Sequence, residues 1–410
     1  MTDPAVREYE DEVPAPLDSV RSAGEPSGLS PDAARLRERV LQHLRDQGFK
    51  VHDGVVIAPV EPNKERLRNL HSHAVDVQRE QARRALQRYE DRFVERFVRG
   101  DVLNPAKIRP RLVLIEDRRS LDGLLWRWSA LHWSIPVSGG YGRRLRFLVV
   151  DEAHGDSVIG LIGLADPVFA LACRDQAIGW SAEQRRTRLA CLMDAFVLGA
   201  LPPYRDLCGG KLVALLATSS EVRDTFAAKY GHRTTLIAGR DPDARLAMIT
   251  TSSALGRSSV YNRLKDPGGS LAFQPVGYTQ GSGDFHLSGE IYAELARFAL
   301  DQTPEGATYR HERWRGKSFR NRREVIQRAL DALGMDSRRM RVHGVRRQVF
   351  LAPLADNAQA WLRGEATELA WRTRSADEMA SWWRERWALG RAERVPAWRK
   401  FDPADLRLYR

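Results

Sequence analysis

Cysteine is scarce in this chain: three among 410 residues, Cys173, Cys191 and Cys208, with no C-x-x-C spacing. An odd number of thiols without a signal peptide argues against a disulfide scaffold and fits reduced cysteines in the cytosol. No two cysteines or histidines stand at ligand spacing near a second such pair, so no metal site is expected. His71 and His73 come nearest, yet side chains two apart do not share a helix face. No apolar run approaches the roughly 20 residues that span a bilayer, and the acidic first residues are no targeting peptide. The expectation is a cytoplasmic protein without membrane contact. Asp151, Glu152 and Asp166 are too scattered over predicted elements to form the carboxylate cluster of a metal-dependent nuclease.

What is present is ordinary globular composition with a basic surplus. Hydrophobic residues make up 43% and charged residues 29% of the chain, and 65 Lys and Arg outnumber 53 Asp and Glu for a net charge of +12. The length allows two or more cores. A cationic surface attracts nucleic acid or another polyanion, although charge alone defines no site.

Four regions are expected. Residues 1–30 carry prolines, acidic residues and Gly-Ser with little apolar periodicity, the mark of a disordered tail. Residues 31–108 read as a helix, a hairpin turning at Asp53-Gly54, and a long charged helix from Asn63 to about Arg99. That module is either a solvated cap on the main domain or a small DNA-binding unit.

Residues 109–295 hold the main α/β core. RPRLVLIED is strand-like, and the tryptophans Trp126, Trp128 and Trp133 that follow read as core or as a stacking platform. Leu145–Val150 and Val158–Leu164 form a hairpin around Gly155. The apolar run LACLMDAFVLGAL ends at Pro202-Pro203-Tyr204, then Gly209-Gly210-Lys211 opens a helical pattern that closes at Tyr230-Gly231. A strand, a glycine turn and a helix N-terminus form an anion site, because the first helical N–H groups are unpaired and carry partial positive charge. RLAMITTS is the next strand, SSVYNRL a short helix, and AFQPVGYT and DFHLS two final strands.

Residues 296–410 form a basic, tryptophan-rich helical extension. Arginines there, including Arg320, Arg322 and Arg323, interleave with Trp314 and Phe319, a pattern suited to nucleic acid. The segment ELAWRTRSADEMASWWRERWALGRAER reads as a helix packing back onto the core.

Three groups are candidates for one cleft. Tyr204, Arg205, Gly209, Gly210 and Lys211 would hold a phosphate or a cofactor. Arg257, Ser258 and Asn262, beside Thr250, Thr251 and Ser252, would meet DNA, either as exposed contacts or as a recognition helix. Gly277 and Tyr278 with Asp284 and His286 are the third group; Tyr261, from the second, would donate a proton, with His286 or Asp284 as base, unless His286 is simply a satisfied strand residue.

The order of elements, a hairpin, a buried strand, a phosphate-loop-like turn, a helix, a strand and a tyrosine-bearing segment, resembles the acyl-CoA-dependent N-acetyltransferase (GNAT) fold. That resemblance implies a mixed sheet and acetyl-CoA or another acyl-CoA held by the turn, with Tyr261 at the position of the proton donor. The spacing departs from the usual Q/R-x-x-G-x-G/A loop, since the glycines lie four and five residues after Arg205.

Longer phrases resemble a narrower family. IRPRLVLIE, WSIPVSGGYGRRLRFLVVDEA, LIGLADPVF, RDQAIGW, MDAFVLGALPPY, GGKLVALLATS, ITTSSALGRSSVYNRL and GYTQGSGDFHLS are together similar to the DruA family of the bacterial Druantia anti-phage defence systems. The resemblance runs from about residue 32 to the end. It implies cytosolic defence against phage beside a helicase-like partner, and carries over no catalytic residues. Two functions stay open: a subunit that binds nucleic acid for a defence complex, and a transferase that modifies DNA or a nucleotide.

Overall fold

The computed structural model describes residues 29–52, 54–57, 64–137, 142–232, 243–302 and 322–409. The expected tail up to residue 28, and Arg320 with Trp314 and Phe319, lie outside the described residues.

Nine strands are present among those residues. β1 (Lys50–His52) and β2 (Val55–Ile57) form the small hairpin turning at Gly54, whose φ of 76° suits glycine. The other seven build one mixed sheet: β3 (Pro110–Leu114), β4 (Arg144–Asp151), β5 (Ser157–Ala165), β6 (Leu192–Ala200), β7 (Met248–Ser252), β8 (Gln274–Tyr278) and β9 (Gln348–Pro353). Their spatial order is β3-β4-β5-β6-β7-β9-β8.

Among these pairings only β6 and β7 run parallel, which requires a crossover between them. The helices Gly209–Leu216 and Ser220–Tyr230 lie in it. The parallel pairing covers only Leu192–Ala195 of β6, against Met248–Thr251, so the second half of β6 leaves β7. Every residue of β5 is buried, as a central strand covered on both faces requires.

One core lies between the sheet and those crossover helices. Leu145, Phe147 and Val149 of β4 meet Leu212–Leu216, with Trp383 of the C-terminal helix Ala376–Trp383. On the other face, Leu148 and Val150 pack with the helix Leu121–Ala130 and its Trp126 and Trp128, which are core residues and not a stacking platform. Glu90 ties the chain's end to this core: its carboxylate accepts from Trp128 Nε1 at 2.9 Å and from the Leu408 and Tyr409 N–H groups at 2.8 and 3.2 Å. A further core joins the helix Pro31–Asp46 to Leu287–Val345, so the first helix packs against the region after residue 286.

The structure corrects three local expectations. SSVYNRL is a run of turns, not a helix. Ser258 Oγ accepts from the Val260 and Tyr261 N–H groups, both at 3.1 Å, as a helix cap would, but Arg263 adopts φ 61° and ends the turn. DFHLS is irregular and leads into the helix Glu290–Asp301; Asp284 holds Arg341 Nε at 2.6 Å across it. The charged helix from Lys64 stops at Leu86, and the chain goes on through a 3-10 turn at Gln87–Tyr89 to a separate short helix, Glu90–Val94. The C-terminal region also supplies β9, which sits between β7 and β8. The expected C-terminal helical segment does pack onto the core, through Trp383, Ala388 and Ala392.

Candidate nucleic-acid interface

The turns from Arg257 to Lys265 form the centre of a cationic surface. Lys64, Arg257, Ser258, Ser259, Asn262 and Arg263 line a shallow cleft of about 380 Å³. Lys64, Arg257 and Arg263 are exposed, and among the described residues no carboxylate pairs with any of them. Asn262 Nδ2 donates to the Ser258 carbonyl at 2.6 Å, which fixes the loop that presents the two arginines. Arg263 in the left-handed region is uncommon for a residue with a Cβ, a cost that the surrounding contacts must offset.

The same turns meet two tryptophan-bearing neighbours. Lys211 Nζ lies 3.5 Å from the Val260 carbonyl and 5.3 Å from the ring centroid of Trp387, and burial lowers its pKa. Trp382 Nε1 donates to the Lys265 carbonyl at 3.0 Å. Trp382 and Trp387 are five positions apart, which an ideal α-helix would place on different sides. The segment Arg384–Ala388 is π-helical, and the wider turn brings the two rings to 6.3 Å in an edge-to-face pair. The Arg386 guanidinium stands 5.5 and 5.7 Å from their centroids. Both rings are half-buried, so each keeps an accessible portion. Cations interleaved with indoles can hold phosphates by charge and bases by stacking.

The expected phosphate-binding residues are not all brought together. Tyr204 is fully buried, and its hydroxyl donates to Asp151 Oδ2 at 3.0 Å. Burial, with the Asp151 carboxylate beside it, holds that phenol far above its usual range. Asp151 also accepts from His154 Nδ1 at 2.7 Å and from the Arg109 N–H at 2.9 Å. Arg205 lines a different cleft of about 600 Å³, with Trp133, Lys400 and Phe401.

Gly209 is a packing glycine, since a Cβ there would stand 2.5 Å from the Tyr204 carbonyl oxygen. Gly210 faces Val260, whose Cγ2 would be 3.5 Å from an added Cβ. Of that group, Lys211 alone joins the surface just described.

Tyr261 points inward. It stacks on Phe273 at 4.9 Å and meets Phe350 edge-on at 5.2 Å, and burial pushes its phenol up to about 12. His286 packs in another part of the molecule, 5.5 Å from His343 and donating Nε2 to the Met340 carbonyl at 2.9 Å. Burial pulls it down to about 4. The two expected catalytic residues therefore do not share a site. Arg322 stacks 4.1 Å over Tyr292 and donates to the Leu287 and Asp284 carbonyls, whereas Arg323 is exposed with no ion pair among the described residues. Among the described residues no cluster of His, Cys, Asp and Glu could hold a metal ion, and no helix is long and apolar enough to cross a membrane.

Sequence reasoning missed Lys64, Arg263, Lys265, Trp382, Arg386 and Trp387. The string SWWRERW carries the signal, but only the π-helical turn decides which of its tryptophans stay accessible.

The fold and this surface define an α/β protein with one seven-stranded mixed sheet and a cationic, indole-edged face. The family model described as "Druantia protein DruA" matches residues 61–364. The curated Druantia protein DruA of Escherichia coli (strain UMEA 4076-1) is 39% identical over 378 residues, covering 91% of each chain. This chain belongs to the DruA family, which supports a role in anti-phage defence. No solved structure matches it.

Proposed function

We propose that this protein binds DNA for anti-phage defence, within a complex of other Druantia-type proteins such as a helicase-like partner. The surface from Arg257 to Lys265, flanked by Lys211, Trp382, Arg386 and Trp387, is the gripping face. The carrying observation is that Lys64, Arg257 and Arg263 line one cleft with no carboxylate paired to any of them among the described residues. Such charges attract phosphates and release the condensed counterions of the nucleic acid. The half-buried indoles add a platform for bases where a strand is opened. Arg323 would extend the contact, and Arg320 is a further candidate.

A second reading, a GNAT-like transferase using an acyl-CoA, draws support from the strand order and from the parallel β6–β7 junction followed by a glycine-started helix. The local residues fit that cofactor poorly. Val260 lies over Gly210, Trp383 Nε1 donates to the Cys208 carbonyl at the helix start, and Tyr261 is enclosed by Phe273 and Phe350.

Titration of the full chain with labelled double- and single-stranded DNA across a salt series, with and without acetyl-CoA, tests the proposal. Tight binding that weakens steeply with salt and ignores acetyl-CoA is the expected result. Negligible DNA binding beside saturable acetyl-CoA binding would overturn it.

A further inference from the structure

A second basic cluster, on the β3–β4 side of the sheet, is untouched by the DNA-binding reading. Arg144 and Arg146 are two apart on β4, so both point to the same face. Their guanidiniums stand 4.5 and 5.9 Å from the centroid of one ring, Phe196, and Arg146 also lies 5.4 Å from Trp126.

The floor beneath them is built for this. The β5–β6 register pairs Leu164 with Ala195 and Gly163 with Val197, so Phe196 is an extra, bulged residue. A Cβ on Gly163 would come within 2.8 Å of the Phe196 ring and 3.1 Å of the Trp126 ring, so glycine lets both rings lie over β5.

The charge on this floor is not balanced. Arg144 Nε and Nη1 are buried and make no hydrogen bond. Arg146 makes no side-chain hydrogen bond or ion pair, nor does the exposed Arg118, among the described residues. Burial, then the positive charges of Arg118 and Arg144, pulls Arg146 down to about 10.

The nearby carboxylates have other partners. Asp166 pairs with Arg143 at 2.7 Å, Asp194 accepts from Thr250 Oγ1 at 2.6 Å, and the adjacent Arg174 is matched by Asp175 at 2.7 Å. Asp166 and Asp194 still favour the charged form of Arg144 from a distance. Half-buried like charges with unmade hydrogen bonds are costly unless an anion completes them.

We propose that Arg118, Arg144 and Arg146 form a binding site for a phosphate group, separate from the DNA-gripping face. Guanidinium forks suit phosphate oxygens, and three of them match a phosphate that carries about two charges. The phosphate comes either from a free phosphate or mononucleotide, or from the 5′ end of a DNA strand.

Calorimetric titration of the full chain at fixed ionic strength separates these sources. The probes are inorganic phosphate, AMP, and a short single strand with either a 5′-phosphate or a 5′-hydroxyl. Saturable binding of phosphate or AMP supports the site with a free ligand. A preference for the 5′-phosphorylated strand of at least tenfold supports it with a DNA end. In either case Arg144→Gln and Arg146→Gln should each lose at least tenfold, while Arg35→Gln, an exposed change on the helix Pro31–Asp46, keeps the binding. If those two variants fail to fold, the exposed Arg118→Gln should still lose at least threefold. Absence of binding by every probe, with no preference between the two strands, overturns the proposal, as does undiminished binding in the folded arginine variants.

Discussion

The ammonium group of Lys211 sits 5.3 Å from the ring centroid of Trp387. This contact joins the helix that leaves the sheet's parallel junction to the tryptophan-rich tail. Burial lowers the lysine's pKa, but no carboxylate takes its charge among the described residues. Its Nζ instead lies 3.5 Å from the Val260 carbonyl. A cation held this way remains available to a phosphate while the indole beside it remains available to a base.

Trp387→Ala should therefore weaken binding of single-stranded DNA by about 1–3 kcal/mol, the usual value of one stacked base. Trp387 is half-buried and belongs to the rim of the core, so the fold should survive. Fluorescence anisotropy with a labelled oligonucleotide checks the loss, and circular dichroism checks the fold. Unchanged affinity in a folded variant would remove the indole from the interface.

Glu90→Ala should destabilise the protein by about 3–5 kcal/mol, because it orphans buried donors around a carboxylate that fixes the chain's end. Trp128 Nε1 and the Leu408 and Tyr409 N–H groups would all lose their acceptor. Urea denaturation measures this. A loss under about 1 kcal/mol, the scale of a single ordinary hydrogen bond, would mean that the tail's clamp carries little weight.

Acid should loosen the histidine-rich lobe. His71, His286 and His343 are held down to about 3, 4 and 3, in each case first by burial. Their folded pKa values lie below the unfolded value of about 6.5. The stability they contribute is thus full above about pH 6.5 and is lost as pH falls from there through about 4 to 3. The urea midpoint should fall steadily across that window. A midpoint flat between about pH 6.5 and 4.5 would contradict the buried neutral imidazoles.

Tyr261→Phe should leave phage protection intact, since the ring's stacking on Phe273 and Phe350 does not need the hydroxyl. Plaque assays on cells carrying the complete defence system read this out. Loss of protection by a folded variant would revive proton donation by this tyrosine.

Much of the fold was legible in the sequence because its strands obey strong local patterns. The hairpin around Gly155, the apolar run ending at Ala200 and the strand at Met248 all appear where periodicity and turn residues place them. β9 was not, because QVFLAP follows a dense arginine run and its partners, β7 and β8, are distant in sequence.

The candidate site was legible only in part. Arg257, Ser258 and Asn262 lie on one cleft as expected, but the pattern suggested a helix where Arg263 ends a turn. Tyr204 and Tyr261 have polar tips that invite a functional reading, yet both are enclosed by tertiary packing that local sequence does not encode. The placing of Trp382 and Trp387 depends on a π-helical turn, a feature without a sequence rule as strong as a helix cap.

The most direct test of DNA binding at this face compares the unaltered chain with Arg257→Glu/Arg263→Glu and with the single change Arg92→Glu, on the helix Glu90–Val94. Affinity for labelled double-stranded DNA is measured across a salt series. The double variant should lose at least tenfold at low salt, with a salt slope shallower by about two, one for each phosphate contact removed. Arg92→Glu should behave nearly as the unaltered chain does. A loss in Arg92→Glu about half as large, on a logarithmic scale, as in the double variant would mean that DNA responds to net charge alone, since it carries half the charge change, and an unchanged slope in the double variant would contradict this face as the grip.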